Sequence, residues 1–163
     1  MSDTARTRSP VIVWAERLGI FGGCLSLVTG AIVTASVIGR WLMDSGVPGD
    51  FEFVQMATAV SVFFFLVSCQ SHRGNIVVDT FTGFLSERAR NRLDAFWDVV
   101  YGLVMAAIGV CMVEGTIEAI RSHTGTMVLQ LPLWPALMVA TMLLFVLAGI
   151  CFWTARQLVK VRS

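Results

Sequence analysis

PLWPALMVATMLLFVLAGICFWTA, residues 132–155, runs its whole length without an Asp, Glu, Lys or Arg. Two indoles mark its ends. Trp134 and Trp153 stand 19 positions apart (153 − 134), about 28 Å along a helix that rises about 1.5 Å per residue. The hydrocarbon core of a bilayer is about 30 Å thick, and tryptophan rings favour the boundary between lipid and water. Pro132 and Pro135 suit a helix start, where a missing N–H costs nothing. The stretch therefore reads as a membrane-spanning helix with an aromatic anchor at each end.

Working outward, three more segments have the same character. One spans about 14–40 and is free of charge from Leu18 to Gly39. A second, about 52–71, follows a polar loop holding Pro48, Gly49 and Asp50. A third, about 96–118, has Glu114 and Glu118 near its end. Trp14 and Trp41 bracket the first and Trp97 opens the third, so none of the five tryptophans falls mid-span. Composition agrees: 56% of residues are hydrophobic and 14% charged, with mean hydropathy +0.75, whereas soluble domains carry about a quarter charged residues. The expectation is an all-α membrane protein, a single membrane domain over 1–163 with four transmembrane helices. The N-terminal run is basic and then apolar, but far longer than the roughly 7–15 residues of a signal-peptide core, and Glu16 and Arg17 interrupt its start. It reads as a retained helix.

Orientation follows from the basic residues. Arg6, Arg8 and Arg17 precede the first span, Arg73, Arg88, Arg90 and Arg92 lie between the second and third, and Arg156, Lys160 and Arg162 follow the fourth. Only Arg40 and Arg121 remain for the other side, beside Asp44, Asp50, Glu52, Glu114 and Glu118. Both termini and the charged block at 71–94 are thus expected in the cytoplasm. Within that block Val77, Phe81, Phe84 and Leu85 recur at offsets of four, seven and eight, one helical face, with Asp79 and Thr82 pointing elsewhere. An interfacial amphipathic helix over about 76–85, lying at headgroup level against membrane lipids, is the reading. Ser86 makes a good N-cap with Glu87 in the first turn, and from there a helix climbs into the third span. Glu87, Arg90, Asp94 and Asp98 are spaced for contacts along its exposed start.

Several chemistries find no support. Cys24, Cys69, Cys111 and Cys151 each stand alone in apolar runs and read as small packing residues. His72 and His123 fall at loop edges on opposite sides, unlike the paired histidines of haem-binding helix bundles. A small proton-coupled exporter needs an acid deep in a span; Glu114, roughly 25 Å up the helix from Trp97, reads as near the boundary. No nucleophile–base pair, phosphate loop, metal cluster or nucleic-acid tract is visible, so neither an enzyme nor a cofactor is expected. The spans do carry small residues. Gly19, Gly22, Gly23, Ser26 and Gly30 include a GxxxG from Gly19 to Gly23, and Gly102, Ala106 and Gly109 form a second stripe. Such stripes allow close helix approach in lipid, either within the chain or against another membrane protein. A chain with no polar pathway of its own reads as a subunit.

The order of features resembles the small membrane subunit of tripartite ATP-independent periplasmic (TRAP) transporters, the DctQ-like family. An arginine after the first span and an acid opening the second correspond to Arg40 and Glu52. A family phrase of the form R-x-x-HI-x-VD is matched by RGNIVVD at Arg73, Ile76, Val78 and Asp79; L-P-x-R-x-R-x-x-LD is matched by LSERARNRLD at Leu85, Arg88, Arg90, Leu93 and Asp94. Asn75 and Ser86 depart from the family's histidine and proline. The resemblance covers roughly 14–155 and implies a multi-pass protein of the bacterial inner membrane. It also implies a large membrane subunit that carries the substrate and sodium sites, and a periplasmic substrate-binding protein that delivers an organic acid. This chain would scaffold the large subunit, with Gly19, Gly23, Arg40, Glu52, Arg73, Asp79, Phe81, Phe84 and Arg88 as candidate contacts to subunit or lipid. Arg40 and Glu52 are candidates for an ion pair across the first loop, or Glu52 serves only its helix N-terminus. The alternatives are a self-sufficient small transporter working as an oligomer, and a membrane assembly or anchor protein without a transport role.

Overall fold

The structure, a computed structural model, describes residues 10–44, 46, 48–72 and 87–160. The interfacial helix expected over 76–85, with Arg73, Asp79, Phe81 and Phe84, lies outside the described residues, as does the Arg88 side chain. The described residues form four helices: α1 (Pro10–Met43), α2 (Asp50–Ser71), α3 (Glu87–Arg121) and α4 (Trp134–Lys160). Each is long and apolar enough to cross a membrane. Among the described residues there is no strand, only an isolated bridge between Gly125 and Pro132.

Their lengths differ more than the spans expected from sequence. α2 has 22 residues, about 33 Å, while α1 has 34 and α3 has 35, about 50 Å each. Both long helices outrun a hydrocarbon core of about 30 Å. In α3 the excess gathers at the amino end, where charged residues from Glu87 to Asp98 precede the apolar run.

The helices pack pairwise, with one apolar cluster at the inner pair that Tyr101 and Met105 of α3 and Val11 and Leu18 of α1 also touch. α1 packs on α2, α2 on α4 and α4 on α3, giving a row in the order α1–α2–α4–α3. The inner pair supplies most of the interior. Phe64 and Val67 of α2 meet Leu143, Leu147, Ile150 and Cys151 of α4, with Ala15 of α1 joining from the edge. Lipid tails are as apolar as leucine, so close approach and van der Waals contact hold such helices together, and the glycines decide where that approach occurs. A Cβ on Gly19 would stand 2.5 Å from Ser68 Oγ, and one on Gly22 would stand 2.7 Å from Phe64 Cβ. Phe21 adds an edge-on contact to Phe64, with ring centroids 5.1 Å apart. On the far side Gly102 lies against Cys151 and Gly109 against the Phe145 ring. Higher up the α3–α4 seam, the buried hydroxyls of Thr116 and Thr141 lie 3.4 Å apart, each also donating to a carbonyl one turn back. Gly23 and Gly30, by contrast, have nothing within 4 Å of where a Cβ would be. The GxxxG pair thus splits at the edge of the seam: Gly19 meets α2, whereas Gly23, about 40° round the helix, has room for a Cβ.

Candidate functional site

One end of the row carries the α1–α2 and α3–α4 loops, and the first turn of α2 organises both. Asp44 and Gly49 adopt positive φ, 52° and 73°, which turns the chain sharply from α1 into α2. Asp50 then faces α1. Its Oδ2 accepts from Ser36 Oγ at 2.6 Å and from Arg40 Nη2 at 3.3 Å, while Oδ1 accepts the Phe51 amide at 2.8 Å. Two residues on, Glu52 faces the opposite way. Its carboxylate, 7% exposed, accepts the amides of Val128 at 2.6 Å and Leu129 at 3.0 Å. Leu129 lies over Gly49, where any Cβ would collide with it. Asp50 therefore ties α2 to α1, and Glu52 ties it to the hairpin joining α3 and α4.

This corrects the expected Arg40–Glu52 pair. Arg40 bonds Asp50 instead, and Glu52 serves neither Arg40 nor merely its own helix terminus. The reason is geometric. Residues 50 and 52 are about 200° apart around a helix of 3.6 residues per turn, so the acid facing α1 is Asp50. The spacing was readable from the sequence; the arrival of 128–129 from another loop was not.

The hairpin is itself well bonded. Thr126 N donates to Leu131 O, Leu131 N to Thr126 Oγ1 and Leu133 N to Thr124 O. Ser122 N and Thr124 N return to Glu118 O and Ala119 O, continuing the end of α3. His123 and Gln130 adopt positive φ, 49° and 51°, at the hairpin's two bends.

At the opposite end of the row, Gln70 is 1% exposed and its Nε2 donates to Asp98 Oδ1 at 3.0 Å, linking α2 to α3. Asp98 was expected on the exposed start of α3; it is partly buried there, and one of its bonds comes from α2. Nearby, His72 Nε2 lies 3.6 Å from Glu16 Oε1, bringing the end of α2 to the start of α1. Among the described residues no group of three or more His, Cys, Asp or Glu could hold a metal ion, and Cys24, Cys69, Cys111 and Cys151 form no disulfide. Glu114 is exposed on α3.

With four apolar helices and no built catalytic centre among the described residues, the comparison with known families becomes decisive. Residues 29–162 match the family described as Tripartite ATP-independent periplasmic transporters, DctQ component. The chain belongs to this family. As a DctQ component it is a multi-pass membrane subunit of a transporter, and the tripartite description implies a larger membrane partner. Neither a curated protein nor a solved structure gives a match. The matched range begins at Thr29, so it takes in Arg40, Asp50, Glu52, Gln70, Asp98 and the whole α3–α4 hairpin, while Gly19 and Gly23 fall before it. Within this DctQ chain the described candidate residues do not form one site. Arg40 and Glu52 sit at the loop end, Gly19 in the α1–α2 seam, and Gly23 at the edge of that seam with nothing within 4 Å of its Cβ position.

Proposed function

We propose that this chain is the small permease subunit of an ion-coupled TRAP uptake system for an organic acid, and that it serves as a fixed brace for the large subunit in a bacterial inner membrane. The observation that carries the reading is the open row. Four helices laid side by side offer wide apolar faces and enclose no polar passage among the described residues, a form suited to framing another membrane protein and unsuited to conducting solute alone. The bonds of Asp50, Glu52 and Gln70 tie the row at both ends, as a frame under load requires. On this reading the arginine- and lysine-rich side is cytoplasmic. The segment 76–85, with Arg73, Asp79, Phe81, Phe84 and Arg88 in or beside it, widens the frame at the inner headgroup level.

The test is reconstitution. The tagged chain should co-purify from membranes with a much larger multi-span protein, and uptake into vesicles should require both of them and a binding protein. Solute flux through vesicles holding this chain alone would overturn the reading and favour a self-sufficient oligomeric transporter. Deleting 76–85 should lower uptake or complex recovery; normal values for both would remove that segment from the brace.

A further inference from the structure

At the tip of the α3–α4 hairpin the amides of Val128 and Leu129 turn inward and the side chains of Met127 and Val128 outward, while the polar side chains of Ser122, His123, Thr124 and Gln130 are exposed at its flanks. Met127 is 98% exposed and Val128 65%, while the amides beneath them are consumed by the Glu52 carboxylate and by Thr126. A loop in water has no need of a buried carboxylate for its amides, because solvent would satisfy them. Toward the hydrocarbon of a bilayer the need grows, since irregular backbone facing lipid there finds no water for its polar groups. The loop also lacks the charges that mark a water-facing connection: from Ser122 to Ala155 there is no Asp, Glu, Lys or Arg. Its depth is set by Glu52, which lies in the first turn of a membrane-spanning helix, so the tip is held down at the level where that span begins. Phe51 and Phe53 of the same turn are exposed there, as is Trp134 at the start of α4. Beside the tip an apolar groove lined by Phe53, Met56, Leu131 and Pro135 has the character of an acyl-chain surface.

We propose that Met127 and Val128 are seated in the phospholipid headgroup–acyl boundary at which α2 begins, with Glu52 as the latch that allows a non-helical backbone to sit there. Exposed apolar side chains, satisfied amides, absence of charge and depth all point to the same neighbour, a lipid surface.

Photocrosslinking tests it. A benzophenone amino acid replaces Met127, and separately Asp44, which is exposed on the adjoining loop. The full transporter is reconstituted in vesicles of phosphatidylethanolamine and phosphatidylglycerol carrying an alkyne-tailed phospholipid, and then illuminated. The expected result is a lipid adduct at position 127 in several-fold excess over position 44, and a several-fold loss of that adduct when Glu52→Gln is added. Equal lipid labelling at 127 and 44 would place the tip in water and overturn the proposal. A protein adduct at 127 in place of lipid would overturn it in favour of a subunit contact. Should Glu52→Gln fail to assemble, the comparison of 127 with 44 in the native background still decides.

Discussion

Alanine at Gly22 and alanine at Gly23 should have opposite effects, although the two glycines are adjacent in one helix. A Cβ on Gly22 would stand 2.7 Å from Phe64 Cβ and 3.4 Å from Ser61 O. Neither atom moves with a side-chain rotamer, so relief requires the α1 and α2 backbones to separate. Carbon atoms rest about 3.5–4.0 Å apart, which sets that separation at about 1 Å across a seam that also holds Gly19 on Ser68 and Phe21 on Phe64. Overpacking of this kind costs about 1–3 kcal/mol. Replacing a mid-helix glycine by alanine returns up to about 1 kcal/mol of helix propensity. With that full gain subtracted, the net expectation for Gly22→Ala is a loss of roughly 0–2 kcal/mol, centred near 1. Gly23→Ala meets nothing within 4 Å and should be neutral or gain up to about 1 kcal/mol. Unfolding of the purified chain in a mild detergent, followed by the near-UV signal of its tryptophans, measures both. Equal stability of the two variants, or Gly23→Ala the weaker, would refute the α1–α2 seam described above. The same pair separates packing from docking: if the face of α1 at Gly23 carries the large subunit, Gly23→Ala lowers complex recovery while leaving the stability of the chain alone unchanged.

The polar ties give three further expectations. Glu52→Ala leaves the Val128 and Leu129 amides without their acceptor, and hydrogen exchange at 126–131 should rise by orders of magnitude with α2 unchanged; unaltered exchange would show that the carboxylate does not hold the hairpin. Asp50→Ala should lower the unfolding temperature more than Arg40→Ala, because Asp50 also accepts from Ser36 and Phe51 whereas the Arg40 side chain is largely in solvent; the reverse order would contradict the geometry. Gln70→Leu strips a buried donor from Asp98 and should cost roughly 1–3 kcal/mol. Asp98→Asn, which keeps an acceptor for Gln70, should cost less, and a double-mutant cycle with zero coupling would dismiss the bond.

What the sequence discloses here depends on whether a feature is local. The four spans follow from uninterrupted apolar runs and from tryptophans at their boundaries, because the bilayer imposes a length that a window of residues can satisfy on its own. The continuity of α3 from Glu87 is equally local, foreshadowed by the absence of any breaker between Ser86 and the third span. The row order is not local. Both the α1 and α3 stripes announce close approach, yet only the structure shows that Gly19 and Gly22 meet α2 while Gly23, about 100° from Gly22, has nothing within 4 Å of its Cβ position. The partner of Glu52 was out of reach for a stronger reason: Val128 lies 76 residues away and contributes only its main chain, which leaves no mark in side-chain chemistry. A usable clue did exist. A loop reading TMVLQLPL, apolar where loops are ordinarily polar, asks what satisfies its amides, and an acid at the start of a neighbouring span is a fitting answer.

The placement of α2 explains why these ties are needed at all. In lipid no hydrophobic force draws one helix to another, so a row of pairwise-packed helices needs other contacts to keep its members in register. Close packing fixes distance across each seam yet resists sliding along it poorly, since small-residue stripes are smooth. Polar bonds at the ends supply what the stripes lack. Asp50 pins α2 to α1, Glu52 pins it to the loop between α3 and α4, and Gln70 pins its other end to α3. The shortest helix is thus tied near both ends to the rest of the row, so sliding it stretches these hydrogen bonds. A transporter subunit whose task is to stay still needs that resistance more than it needs a core.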